Sequence, residues 1–419
     1  MDRSSKWSLS ILCLVFTLIL FSCKDKPETS SDVPQTSAVA NTGVETLPAE
    51  AEGQKPAFVG QTRIQAIQTS SKYRVDTLAK NLERPWGFTF LPDGRYLITE
   101  KPGRIRILAK DGSVGDTIVG VLPVHFQQDG GLMDIAIAPD FSNTRQIFWA
   151  YSEKRDTGYM PTIATGYLAK DEKSLERVSV IYRAGPAIGS VMHYGTTLLF
   201  DPEGYLLVTL GERYEPRVRV RAQALHSPFG KVIRIDRNGN AAPGNPFKAS
   251  QDTLAEIWAY GFRDPQGIAF HPQTGELWLS DHGPRAGDEI NVITPGANYG
   301  WPMIAYGLEY SKEPVNGGLT QADGMEQPVY YWDPAVAPAG ITFYSGRLIP
   351  EWRNDLFVAT LRGKHLVRLK IEGHKIVGEE RLLTDLDKRL RGVKEGPDGA
   401  LYVWTAEAEG YILRITNDE

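Results

Sequence analysis

The sequence predicts an all-β fold closed by radial repetition, a six-bladed β-propeller, and three observations predict it. A unit of apolar strand, turn of the Pro-Asp/Glu-Gly type and second alternating strand recurs over residues 87–99, 132–141, 198–209, 267–280 and 393–405, with a degenerate copy over 340–361. The chain is rich in turn-formers, with 41 Gly and 27 Pro among 419 residues. No window of 12 residues sustains a helical period.

The alternation in Tyr96-Leu97-Ile98 and in Leu401-Tyr402-Val403-Trp404 is that of a half-buried strand, and the turn glycines suit positive φ. Third strands follow several copies, at 104–108, 231–236, 366–371 and 411–415. A small sheet cannot bury both its faces alone, so six of them stack around an axis. The anchoring prolines, at 92, 139, 202, 272, 350 and 397, lie furthest apart in the middle copies. Inserted loops there are expected on a binding face.

The propeller domain is expected to span 72–419. Ahead of it, Arg3 and Lys6 precede an apolar run, 7–21, too short to cross a bilayer comfortably. Leu20-Phe21-Ser22-Cys23 resembles a bacterial lipobox, making 1–22 a lipoprotein signal peptide and Cys23 the acylated first residue. Lys24-Asp25-Lys26 resembles a surface-export tag. Residues 23–71, rich in Ser, Thr, Ala, Pro, Glu and Gln, read as a disordered, flexible linker. The expected location is the bacterial cell envelope, lipid-anchored to the outer membrane on its periplasmic or outward side.

Cys13 and Cys23 are the two cysteines, so the folded part has no disulfide, thiolate nucleophile or cysteine metal site. A formal charge of −5 gives no electrostatic footprint for nucleic acid.

Three segments place polar residues where the repeat does not need them: 191–195 with His193, 260–267 with Arg263, and 281–302. Taken alone, His193 is a general base or a satisfied structural histidine. Arg263 is a charge stabiliser or a loop-locking ion pair, and the Gly-Pro-x-x-x-Asp-Glu stretch is a Ca²⁺ loop or a plain turn.

Together these segments resemble those of the soluble aldose sugar dehydrogenases that use pyrroloquinoline quinone (PQQ), in the glucose/sorbosone dehydrogenase family. The resemblance runs from Leu82 to Ile415 and implies a six-bladed propeller oxidising aldoses at C1 to lactones, with electrons passed to an external acceptor. It makes His193 the base for the anomeric hydroxyl and Arg263 the group that stabilises charge on the quinone oxygens. Arg389 and Arg391 match the pair gripping the cofactor's carboxylates. Tyr310 and Trp332 fall where the ring is packed, and Arg362 where the family usually has a lysine. Gly283 and Pro284 match carbonyl ligands of the Ca²⁺ at the cofactor. Glu289 and Tyr299 match a second, structural Ca²⁺ site to which Glu309 is a further candidate. Asp129 stands where PQQ-binding members often carry Gln, Met192 and Asp264 each stand for an Asn, and Glu212 is placed to orient His193. The added negative charge motivates an alternative, a surface-tethered propeller that binds glycan or protein without redox activity. A lactone-hydrolysing Ca²⁺ propeller needs carboxylates converging on a central metal, and these segments supply mostly arginines.

Overall fold

Each repeat folds as a hairpin because its turn chemistry allows little else. In Leu91-Pro92-Asp93-Gly94 the Gly94 N–H donates to the Leu91 carbonyl at 2.9 Å, and Gly94 takes a φ of 87°, a left-handed value that a side chain would strain. The Gly204 and Gly399 turns repeat this closure.

In the computed structural model, which describes residues 43–418, the hairpins extend into six four-stranded antiparallel sheets. Blade 1 comprises Pro85–Phe90, Tyr96–Glu100, Arg104–Leu108 and Val114–Ile118. Blade 2 comprises Leu132–Ile137, Gln146–Arg155, Gly158–Leu168 and Leu175–Arg183. Blade 3 runs through Gly195–Phe200, Leu206–Leu210, Lys231–Ile235 and Ile257–Tyr260. Blade 4 runs through Pro265–Phe270, Leu277–Asp281, Asp288–Ile293 and Tyr330–Trp332. Blade 5 takes Pro338–Phe343, Leu356–Thr360, Leu366–Glu372 and Lys375–Leu382. Blade 6 takes Leu390–Glu395, Leu401–Thr405 and Gly410–Asn417. Its outermost strand is Tyr73–Leu82, from the other end of the domain, paired Tyr73 to Asn417 and Val75 to Ile415. The ring is thus closed by joining the two ends of the sequence.

The core lies between blades. Six apolar clusters each straddle one adjacent pair, such as Met133 and Phe148 with Val208 and Ile233 between blades 2 and 3. At the seam between the last blade and the first, Phe88 meets Tyr96, Tyr402 and Trp404 with ring centroids 5.2–6.0 Å apart. Every sheet buries both faces, the burial that the repeat requires.

The signal peptide, Cys23 and the first part of the expected linker lie outside the described residues. From residue 43 onward the linker expectation is corrected. Asp333 accepts from the backbone N–H of Glu50 and Ala51 at 2.7 and 3.1 Å, and Gln54 exchanges two hydrogen bonds with the Gly307 backbone. Ile67 N–H donates to the Glu379 carbonyl, Thr69 bonds Glu380, and Ser70 and Ser71 bond Glu351. Residues 43–71 form a strap along blades 4 and 5. Propeller carboxylates and backbone take many of its polar groups, and Ala51 and Ile64 pack on the propeller, so it needs no core of its own. Composition could not reveal that. Among the described residues no helix is long and apolar enough to cross a membrane.

Candidate active site

Loops from every blade meet at one end of the channel around a cavity of about 550 Å³. His193, Arg263, Arg389 and Arg391 all line it, with Asp129, Tyr310 and Arg362. Seven cationic side chains (Arg84, Lys101, Arg263, Arg285, Arg362, Arg389, Arg391) face three carboxylates (Asp129, Asp264, Asp288). The chain is acidic overall, yet this cavity is built for an anion.

His193 sits just ahead of the innermost strand of blade 3, with a left-handed φ of 48°. Its N–H donates to Asp129 at 3.1 Å, and its Nδ1 lies 2.8 Å from Oε1 of Glu212. Burial, with the charges of Arg263, His282 and Arg213, holds the imidazole pKa well below its ordinary value, so the ring is neutral. Burial pushes Glu212 up to about 7, and its Oε2 has no hydrogen-bond partner among the described residues. The next two residues fasten the same loop. The Arg213 guanidinium lies 3.5 Å over the Tyr194 ring and donates to the Ser190 carbonyl. The Tyr214 ring is 4.7 Å from the imidazole and 6.2 Å from Tyr310, which stands half-exposed at the mouth.

Arg263 is fixed from behind. The N–H groups of Arg263 and Asp264 donate to the two oxygens of Asp281, at 2.9 and 2.7 Å. Its guanidinium donates to the carbonyls of His282 and Gly283 and faces Trp301 at 5.4 Å. Gly283, a candidate Ca²⁺ ligand, therefore already accepts a charged hydrogen bond.

The Asp264 carboxyl accepts from Gly195 N–H and from the Gln266 amide. Burial, then the nearby Asp129, pushes it up to about 8. Its environment thus favours the neutral carboxyl, which lessens the charge it adds beside an anionic ligand. Gln266 passes this chain on, its carbonyl accepting from both terminal nitrogens of Arg391 at 3.0 and 2.7 Å. Arg391 lies 4.5 Å over Trp86, and its Nε is buried without a partner. Burial lowers Arg391 to about 10, still charged at neutral pH. Arg389 lines the cavity beside it and is held through its N–H by Glu407.

Trp332 does not reach the cavity, which corrects that assignment. As the last residue of the outer strand of blade 4, its side chain shares a face with Tyr330, and both donate to the buried Glu379 carboxylate of blade 5. Arg362 does line the cavity, but one end of its guanidinium is taken by Glu50 of the strap, at 2.9 Å.

The structure brings Glu289 and Tyr299 together around a second cavity of about 10 Å³, which Gly283, Pro284 and Asp281 also line. That is room for one small ion or water. Burial and the charges of Asp281 and Asp288 push Glu289 up to about 8; it accepts one bond, from Asn291, whose own Oδ1 lacks a partner. Under-satisfied hard oxygens fit Ca²⁺. Among the described residues no three His, Cys, Asp or Glu side chains form a metal cluster, so carbonyls must complete any shell. Glu309 is drawn elsewhere, to Arg219.

Lys101, Trp86 and Tyr214 line or brace the site without having been singled out from sequence. Tyr214 carried a signal, since Glu212-Arg213-Tyr214 departs abruptly from the apolar strand Leu206–Leu210. The others lie on ordinary strand ends.

The fold and this site, an imidazole held by a carboxylate beside a cavity crowded with arginines, are those of a six-bladed propeller with a cationic pocket at one end of its channel. Residues 82–414 match the family model described as Glucose / Sorbosone dehydrogenase. The chain belongs to that family and is an oxidoreductase of the aldose sugar dehydrogenase type. It is 39% identical over 346 residues to the aldose sugar dehydrogenase YliI of Escherichia coli (strain K12), covering 82% of this chain and 92% of that one. The crystal structure of the soluble aldose sugar dehydrogenase from Escherichia coli in the apo-form matches with a TM-score of 0.79 at 37% identity, covering 83% of this chain and all of that one. The PQQ-bound aldose sugar dehydrogenase from Streptomyces coelicolor matches with a TM-score of 0.65 at 26% identity over the same shares.

Proposed function

We propose that the protein binds PQQ and Ca²⁺ in the larger cavity and oxidises aldoses at C1 to lactones, passing the electrons to an external acceptor. The observation that carries this reading is the convergence of His193, Arg263, Arg389 and Arg391 on one open cavity. A PQQ-bound structure of a similar protein supports it.

The residues fit such a group. Arg389, Arg391 and Arg362 would hold its carboxylates, Arg391 offering a buried Nε without a partner. Gly283 and Pro284 would offer carbonyl oxygens to the metal beside it, and Glu289 with Asn291 would hold a structural ion. When bound, the quinone supplies the two-electron acceptor for the hydride from C1.

His193 takes the proton. Its neutral ring gives Nδ1–H to Glu212 and keeps the Nε2 lone pair for the sugar hydroxyl. Arg263, fixed by Asp281 and the His282 and Gly283 carbonyls, holds a positive charge without needing to reorganise. The imidazole would thus hold the proton released from the anomeric hydroxyl, while Arg263 keeps a fixed positive charge facing the place the quinone would occupy.

The test is reduction of an artificial dye by the PQQ- and Ca²⁺-reconstituted protein with a panel of aldoses. Silence across the panel overturns the reading. The non-redox alternative drew on Asp129, Met192, Asp264 and the surface tether; His193, Arg263, Arg389 and Arg391 lining one open cavity weigh against it. The lipid anchor at Cys23 and the envelope location rest on sequence alone; radiolabelled palmitate incorporation that survives in a Cys23→Ala variant would exclude the anchor at Cys23, and fractionation of the wild type away from the membrane would exclude the location.

A further inference from the structure

We propose that the strap of residues 43–71 braces the active site from behind the cavity lining and that Glu50 is a positioning residue for the two arginines at the mouth. This rests on the cofactor reading above and adds to it a part of the chain outside the propeller.

Arg285 and Arg362 line the cavity from the loop within blade 4 and from blade 5. Their side chains are 35% and 51% exposed, so each is free on its outer side, and two neighbouring guanidiniums repel one another. Glu50 lies between them, with Oε2 3.0 Å from Nε of Arg285 and Oε1 2.9 Å from NH2 of Arg362. The other end of Arg362 donates to the Arg285 carbonyl at 3.3 Å.

Isolated surface ion pairs of this kind are weak, because both partners wander. Glu50 does not wander. Its N–H and that of Ala51 are gripped by the two oxygens of Asp333, and Gln54 locks onto Gly307 with two bonds of 2.6 and 3.0 Å. Farther along, Arg63 bonds the Asp333 carbonyl and Gln61 that of Pro328. The carboxylate is thus delivered on a fixed backbone, and the arginines are held in place before a ligand arrives. Preorganised cations cost an anionic ligand less ordering entropy than mobile ones.

This role has a sign that separates it from simple charge. Removing an anion from beside the site of an anionic ligand tightens binding if only Coulomb attraction matters. Removing the residue that holds two arginines in place weakens it.

The test uses the full apo-protein and its Glu50→Ala and Glu50→Gln variants, titrated calorimetrically with PQQ in the presence of Ca²⁺. The expected result is a loss of affinity of about tenfold in Glu50→Ala and a smaller loss in Glu50→Gln. Unchanged or tighter binding in Glu50→Ala overturns the proposal. A parallel measurement needs no cofactor: phenylglyoxal labelling of the apo-proteins, followed peptide by peptide, reads how firmly Arg285 and Arg362 are held. Labelling several-fold faster in Glu50→Ala is expected, and equal rates overturn the proposal. Should the wild type take up no PQQ, the cofactor reading fails while the labelling still decides the role of Glu50. Glu50→Gln, which keeps the side chain's shape, serves both measurements if Glu50→Ala does not fold.

Discussion

Glu212 places Oε1 2.8 Å from Nδ1 of His193, and the two side chains are only 2% and 6% exposed. The contact holds the imidazole by its Nδ1 edge and so fixes the ring's orientation. His193→Ala should lower kcat by roughly 10²–10⁴-fold, the usual worth of a positioned base, while PQQ affinity stays within about twofold of wild type. A variant that turns over normally removes the imidazole from the mechanism.

The same pair sets the pH dependence. Burial holds His193 well below its usual range, and Glu212 titrates at about 7. As pH falls through 7, Glu212 gains a proton and ceases to be the acceptor that fixes Nδ1–H, so kcat should fall on the acid side of neutrality. Glu212→Gln should lower the plateau and erase that limb. A Glu212→Gln profile with the wild-type limb intact would assign the titration to another group.

In the proposed reading Arg391 serves the cofactor rather than the proton. Its guanidinium is braced by Trp86 and Gln266 and retains an unpartnered Nε. Arg391→Ala should weaken PQQ by roughly ten- to a hundredfold, the worth of a charged hydrogen bond to a carboxylate. At saturating cofactor, kcat should fall far less. Equal PQQ titrations for variant and wild type would contradict this.

Calcium should stabilise the apo-protein at the small cavity around Glu289. Saturating Ca²⁺ should raise Tm by several degrees through mass action, and Glu289→Gln should remove the part of the response that belongs to this ion. Thermal melts with Ca²⁺ and with a chelator check it; identical melts for wild type would show that no ion binds.

Closure of the ring depends on the seam where the two ends of the domain meet. Phe88 is fully buried there among Tyr96, Tyr402 and Trp404. Phe88→Ala should cost about 3–5 kcal/mol, visible in denaturant unfolding, and a loss under 1 kcal/mol would place the closing contacts elsewhere.

The hairpins were legible in the sequence because period-two alternation and turn glycines are local signals. The outer strands were not. Tyr330–Trp332 is three residues long, and Tyr73–Leu82 is defined by its partner some 330 residues away, which no local pattern announces. The same limit divides the site. His193 and Arg263 stood out in polar segments, Arg389 and Arg391 followed from the family resemblance, and the structure brings all four to one cavity. Trp332 was misplaced because side-chain facing depends on strand register. Glu50 was missed because a polar strap that borrows its partners from the propeller has the composition of a linker.

The central claim is that this cavity holds PQQ and uses it on sugars. Calorimetric titration of the apo-protein with PQQ in Ca²⁺ tests it most directly, followed by glucose or another aldose added to the loaded protein. The account predicts one PQQ per chain and bleaching of the oxidised cofactor's absorbance when the sugar is added, with His193→Ala binding but not bleaching. No binding heat in the wild type, or binding with no bleaching by any aldose, would contradict it.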